Sequence, residues 1–295
     1  MILGSVDLLG KYYSKGLFVK ALIGIISKWT LGRVYQQPDS LLVLNYHGTQ
    51  KKYLKNFRTQ IKALSKRFKF IAPEELDAFY QGEKKDGPYL LLTFDDGIQN
   101  NIYALEVLKE FGVKALFFIV PNYVDASDSV TFFKHNIRPV INSSIDGAKE
   151  DLESMSWDTI RTVVDAGHSI GSHSLDHLMS EKDNVDMVEC QVVESKKVLV
   201  EKIGSKVDAF CAPNDSLRSL NKISYQRINQ IYDKFYSTFP GVNRPNDSPH
   251  LIKRSNVEAY WPINAMYFAI SNFEFKRYRE RISKLEEMKL ANGTN

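Results

Sequence analysis

Short apolar runs alternate with amphipathic stretches through the middle of this chain. Leu41–Asn45, Tyr89–Phe94, Ala115–Val120, Ser169–Ser172 and Val207–Ala212 are the strand candidates. Between them, Phe57–Ser65, Ile102–Glu110, Trp157–Ala166 and Asp186–Ile203 carry apolar residues at helical spacing and predict helices. Strand, helix, strand alternation argues for parallel βαβ units. In a barrel of such units, functional residues collect at the C-terminal ends of the strands. His47, Asp95, Asp96, His173 and Pro213 all fall at or just after predicted strand ends.

Two regions stand outside this alternation. Asn122–Glu150 contains Phe132-Phe133-Lys134-His135 and Ser143-Ser144-Ile145-Asp146-Gly147, and reads as an insertion. Either it covers the mouth of a site or it is a variable surface loop. The N-terminal forty residues place Leu8-Leu9, Tyr12-Tyr13, Leu17-Phe18 and Ala21-Leu22 near helical spacing, with Lys11, Lys15 and Lys28 nearby. The run Leu17–Ile26 is interrupted by Lys20 and is too short to span a bilayer. Two readings stand for it: a helix packed on the barrel, or a basic amphipathic helix resting on a membrane surface. The expected division is a helical extension over 1–38, a barrel domain over 39–270, and a charged C-terminal helix and tail over 271–295. In that last helix Ile282, Leu285 and Met288 form the packing stripe of the stretch Phe275–Leu290.

Composition changes this picture little. At 295 residues, 43% hydrophobic and 25% charged, the chain reads as an ordinary globular protein with a sizeable core. A net charge of +4 is too balanced to argue for nucleic acid as a partner. Cys190 and Cys211 form no metal-type pair. Neither an early basic region nor a small-residue cleavage site is clear at the N-terminus. The expected location is therefore cytoplasmic, with peripheral membrane contact through residues 1–38 under the second reading of that segment.

Candidate chemistry begins at Leu91-Leu92-Thr93-Phe94-Asp95-Asp96-Gly97, where a β-prone run ends in two carboxylates and a glycine. Adjacent strand residues point to opposite sides, so the two acids need not share one task. The second constellation is Gly167–His177, which holds three of the six histidines. His173 and His177 are four apart and would share a face of a helix. With an aspartate they make three ligands and leave a position for water, the arrangement of a catalytic zinc site.

Both segments resemble the motifs of the polysaccharide deacetylase family, the NodB-homology domain. The first motif, Thr-Phe-Asp-Asp-Gly, stands unbroken at Thr93–Gly97; the second, His-Ser/Thr-x-x-His, stands at His173–His177. The text between them, NIYALEVLKEFGVKALFFIV from Asn101 and WDTIRTVVDAGHSIGSH from Trp157, is similar to the family's connecting elements, and LLVLNYH at Leu41–His47 resembles the first barrel strand of one branch. The resemblance spans Leu41–Arg254. It implies an α/β fold, an irregular (β/α) barrel with seven strands, to which this chain adds the N-terminal helical extension.

The resemblance also implies roles. Asp96, His173 and His177 would bind a divalent ion, zinc first, and Asp95 would be the general base. The substrate would be an N-acetylated amino sugar in a polysaccharide, a glycan precursor or a lipid-linked sugar. The family's third motif, Arg-x-Pro-Tyr, has become Cys211-Ala212-Pro213-Asn214, with Asp215 next. Asn214 is the candidate backbone N–H donor to the oxyanion. Arg254 resembles an arginine near the last strand of some relatives and is the candidate replacement for the one lost at Cys211. The late Leu-x-His motif is not evident. His47 and His250 are the candidates for the acid, with His47 favoured because it ends the first barrel strand. These departures keep two alternatives open: a degenerate barrel that binds glycan without turnover, and a hydrolase of another N-acyl group such as N-formyl.

Overall fold

A computed structural model of the chain describes residues 17–26, 37–138, 149–178, 185–214, 220, 222–271, 275, 278–284 and 287. Eight strands form one parallel sheet: β1 Leu41–Tyr46, β2 Lys69–Phe70, β3 Tyr89–Phe94, β4 Leu116–Ile119, β5 Ser169–Ser172, β6 Ala209–Cys211, β7 Lys234–Tyr236 and β8 Ser255–Asn256. Seven of them follow one another in the order β7-β6-β5-β4-β3-β1-β8. The two-residue β2 lies off that path, beside Tyr89 and Leu90 at the start of β3, whereas β4 pairs with Thr93 and Phe94 at its end. The sheet curls until its ends meet at one segment. Ile252 bridges Tyr236 of β7, and Ser255 and Asn256 then pair with Leu44 and Asn45 of β1. The result is the barrel-like α/β fold expected, and no predicted strand differs from its observed bounds by more than two residues at an end.

β1 and β3 are buried along their whole length, which is why they read as continuous apolar runs rather than alternating ones. Their residues nevertheless alternate between two cores. Leu42, Leu44, Tyr46, Leu90, Leu92 and Phe94 face the helices, while Leu41, Val43, Tyr89 and Leu91 pack inside the barrel with Phe118, Cys211, Tyr236 and Ile252. Helices Leu54–Ser65, Ala104–Glu110, Trp157–Asp165 and Ser195–Ile203 cover the outside. The last of these was expected to begin at Asp186. Instead Val185–Val188 and Ser195–Ile203 flank a π-helical stretch, Glu189–Glu194, whose wider turn directs Gln191 into the interior.

Part of the insertion, 122–138 and 149–150, is described. It forms the helix Ser129–Phe132 and a second π-helical stretch, Phe133–Ile137. Ser143–Gly147 lies outside the described residues. The helix at 17–26 and residues Phe275, Tyr278 and Ile282 all pack against the outer core. Leu8-Leu9, Tyr12-Tyr13, Lys11, Lys15, Lys28, Asp215, Leu285 and Met288 also lie outside the described residues.

Candidate active site

A cleft opens at the C-terminal ends of the strands, lined by His47, Asp95, Asp96, His173, His177 and Arg254, with Asn214, Glu258 and Trp261 at its sides. The strand pattern explains how two adjacent acids reach it. Asp95 continues the inward parity of Tyr89, Leu91 and Thr93, and its N–H still donates to Tyr46 O at 2.9 Å. By the same alternation Asp96 would face the helices. A left-handed backbone, φ 72°, turns it back to the cleft, and Gly97 follows at φ 76°. A Cβ at Gly97 would also meet the Ile119 side chain at 3.0 Å, so glycine fits both the turn and the space.

His173 leaves β5 toward the interior, but His177 does not follow on a helix as the spacing suggested. Ser174 and His177 adopt left-handed backbone, φ 63° and 60°, and fold the chain into a tight turn that returns the second imidazole beside the first. Together with Asp96 and Asn214 (φ 58°), these are all the non-glycine residues with positive φ among the described residues. Each costs on the order of 1 kcal/mol, and they gather at one site. Flanking groups hold the turn. Asp176 accepts from Gln191 Nε2 at 2.8 Å and from Asn122 Nδ2 at 2.5 Å, and Gln191 Oε1 accepts from the Asp176 N–H at 3.0 Å. Both π-helical stretches therefore serve this turn, since Asn136 of the other meets His177.

The three side chains fit a divalent cation. Asp96 Oδ1 lies 3.4 Å from His173 Nε2 and 3.4 Å from His177 Nε2. His173 Nδ1 donates to Cys211 O at 2.9 Å, and His177 Nδ1 donates to Asn136 O at 3.0 Å. A carbonyl can only accept, so each Nδ1 carries the hydrogen and each Nε2 offers a lone pair to a metal. Asp96 Oδ2 is buried and has no hydrogen-bond partner within the protein. A buried carboxylate oxygen left unpaired is costly, and a cation is the partner this donor set suits.

Asp95 has a different partner. Arg254 grips it with two bonds, Nη1 to Oδ1 at 2.8 Å and Nη2 to Oδ2 at 3.0 Å. The guanidinium is 1% exposed, and its other donors reach Ser237 O, Asn45 Oδ1, Thr93 Oγ1 and the Cys211 sulfur. A buried arginine is tolerated only when all its donors are met, and here they are. Burial pushes the Asp95 carboxyl up, but Arg254 and then His173 outweigh it and keep it below the ordinary value. The Cys211 sulfur lies 2.6 Å from Arg254 Nη2.

His47 donates from Nδ1 to Glu258 Oε1 at 2.8 Å, which leaves Nε2 as the ring's free nitrogen. Burial lowers the affinity of this imidazole for a proton, but Glu258 more than reverses that, so its pKa lies above the ordinary 6.5. Arg138 opposes and Asp96 supports this shift. Asn101 Nδ2 fixes the backbone by donating to His47 O at 3.1 Å. Asn214 sits exposed at the rim. His250 is not among the residues that line the cleft. His168, the third histidine of its segment, is structural: its Nδ1 accepts from the Ala115 N–H at 3.1 Å, and burial lowers its pKa to about 4.

Glu258, Asn136, Gln191 and Trp261 were not visible in the sequence as site residues. Only Glu258 carried a signal, as a lone charge between Val257 and Ala259 just beyond Arg254.

Comparison with known proteins bears on the fold and the family. No curated protein matches the chain. Among solved structures, IcaB from Ammonifex degensii is similar at 24% identity and a TM-score of 0.59, covering 79% of this chain and 98% of that one. A deacetylase from Streptococcus pyogenes, PplD in complex with acetate, is similar at 16% identity and a TM-score of 0.61, covering 79% and 99%. A polysaccharide deacetylase from Bacillus cereus is similar at 19% identity and a TM-score of 0.58, covering 79% and 69%. At these identities the likeness is one of fold. The family follows from sequence, because a model described as "Polysaccharide deacetylase" matches residues 82–230, half of the chain. That span contains both Thr93–Gly97 and His173–His177, and the chain belongs to the polysaccharide deacetylase family.

Proposed function

We propose that this protein is a metal-dependent hydrolase that removes an N-acetyl group from an amino sugar of a polysaccharide, glycan precursor or lipid-linked sugar. The observation that carries this reading is the division of labour between the two acids: Asp96 faces two imidazoles and Asp95 faces a guanidinium. Asp96, His173 and His177 would hold the divalent ion, most simply zinc, which would polarise the acyl carbonyl and acidify a water at the site. Asp95, kept ionised by Arg254, would take the proton from the attacking water. The oxyanion of the tetrahedral intermediate would accept a hydrogen bond from the Asn214 N–H at the rim. His47, held by Glu258, would give a proton to the leaving amine. A binding protein would have no use for a base poised beside a cation site.

Acyl release should be screened on free, oligomeric and lipid-linked N-acetyl sugars, with metal content measured on the same samples. Release of acetate supports the reading. A protein that holds metal but frees no acyl group from any of them is a glycan-binding barrel instead, and release of formate alone moves the activity to N-formyl groups.

Two variants test separate parts. His177→Ala should weaken zinc affinity by at least about 100-fold, since one of three ligands is lost. Titration with a competing chelator measures this, and unchanged affinity would remove His177 from the site. Glu258→Gln should lower the pKa of His47, because the carboxylate that holds its proton is gone. A reaction that needs protonated His47 is lost as pH rises through that pKa. The descending alkaline limb of kcat should therefore move to lower pH in Glu258→Gln. A limb that stays in place rules out His47 as the acid.

A further inference from the structure

The helix at 17–26 has two unlike sides. One is seated on the barrel. Leu17 and Ala21 pack against the outer core, and Lys20 Nζ lies 4.7 Å from the centre of the Trp261 ring. Gly24 approaches the helix Ile263–Ala269 so closely that a Cβ there would come within 1.7 Å of Asn264 O. The other side carries Phe18, Val19, Leu22 and Ile25, which are 69%, 53%, 56% and 47% exposed. At 3.6 residues per turn these four fall within an arc of about 120°. With Ile26 they are five of the eight large apolar side chains exposed among the described residues, so the patch is concentrated rather than scattered.

The charge of the surrounding sequence selects the partner. From residue 8 to residue 38 the sequence has no Asp or Glu, but it has Lys11, Lys15, Lys20, Lys28 and Arg33. Apolar side chains on one helical face, in a stretch of sequence whose only charges are cations, suit a surface that is both oily and anionic. Among the described residues no helix is long and apolar enough to cross a membrane, so this one would lie along the surface. We propose that the exposed face of this helix docks on an anionic lipid bilayer. Trp261 ties the seated side of the helix to the cleft, because it lies under Lys20 and also lines the cleft. Docking would hold the cleft close to the membrane. Resting on the deacetylase reading, this points to an amino sugar carried on a lipid as the substrate class.

The test uses the full chain and vesicles of phosphatidylcholine with or without phosphatidylglycerol, read by co-sedimentation. The wild type should bind the anionic vesicles and release with salt. The triple variant Phe18→Ser, Leu22→Ser, Ile25→Ser should bind at least about tenfold more weakly, with circular dichroism and metal content unchanged. Leu22→Glu should act in the same direction. No binding of the wild type to anionic vesicles, or binding by both variants equal to that of the wild type, overturns the proposal. So does a wild-type dimer that the triple variant turns into a monomer, since the face would then be covered by a second copy. Because binding is read without turnover, a protein that binds vesicles but frees no acyl group loses only the deacetylase reading. One that frees acetate from soluble sugars but ignores vesicles loses only the membrane proposal.

Discussion

Asp95→Asn is expected to keep the metal and lower kcat for acyl release by about 10²–10⁴-fold, the usual contribution of a positioned general base. The substituted side chain has the same size, and its carbonyl oxygen can still accept from Arg254. It has no lone pair basic enough to take a proton from water. Asp96, His173 and His177 are untouched, and the carbonyls that fix the two imidazoles, Cys211 O and Asn136 O, remain in place. Arg254 loses one of its two carboxylate acceptors on this residue, so the variant should also be less stable by about 1–3 kcal/mol. Metal content, kcat and a urea titration on one preparation separate these effects. A variant that holds metal and retains kcat within a few-fold would show that Asp95 is not the base.

Arg254→Met is expected to destabilise the fold by about 3–5 kcal/mol, because it leaves the Asp95 charge buried without its partner. The pH dependence has a definite sign. In the wild type the folded Asp95 carboxyl lies below the ordinary 3.8, so its contribution is present above that value and is lost as pH falls through the lower one. Without the guanidinium, burial dominates and raises the same pKa. The variant then loses stability as pH rises. The gap between the two proteins should therefore widen from about pH 3 toward neutrality. Replacing both residues, Asp95→Leu with Arg254→Met, should recover much of the loss by removing both charges. Urea unfolding across pH measures all three proteins, and a gap independent of pH would show that the pair is not what Arg254 contributes.

The strands and outer helices were legible because their signals are local. β3 and β5 were found to the residue, β1 to within one residue at its end, and β4 to within one residue at each end. Both motifs were legible for the same reason, since each is a contiguous run of residues. What escaped is non-local or conformational. His47 and Glu258 lie 211 residues apart in the chain, and no spacing rule connects them. β8 has only two residues, too few for a period. The four-residue spacing of His173 and His177 would bring the two imidazoles to one face only if the segment were helical. The turn that joins them instead depends on positive φ at Ser174 and His177, and neither residue type announces it. Arg254 was found through resemblance, yet the completeness of its bonding, from Ser237 O to the Cys211 sulfur, needed three dimensions.

The segment from Ile252 to Asn256 both joins the ends of the sheet and carries Arg254. Synthesis delivers the chain from its N-terminus, so the two aspartates and both histidines exist long before this segment does. Until it arrives, β7 and β1 are open edges and Asp95 is a carboxylate without its cation. Contacts across 159 residues are also among the slowest a chain makes. Shutting the barrel and completing the base are thus a single late event. A nascent or clipped chain that ends before Ile252 contains both family motifs in full, yet has neither a finished barrel nor a counter-charge for its base.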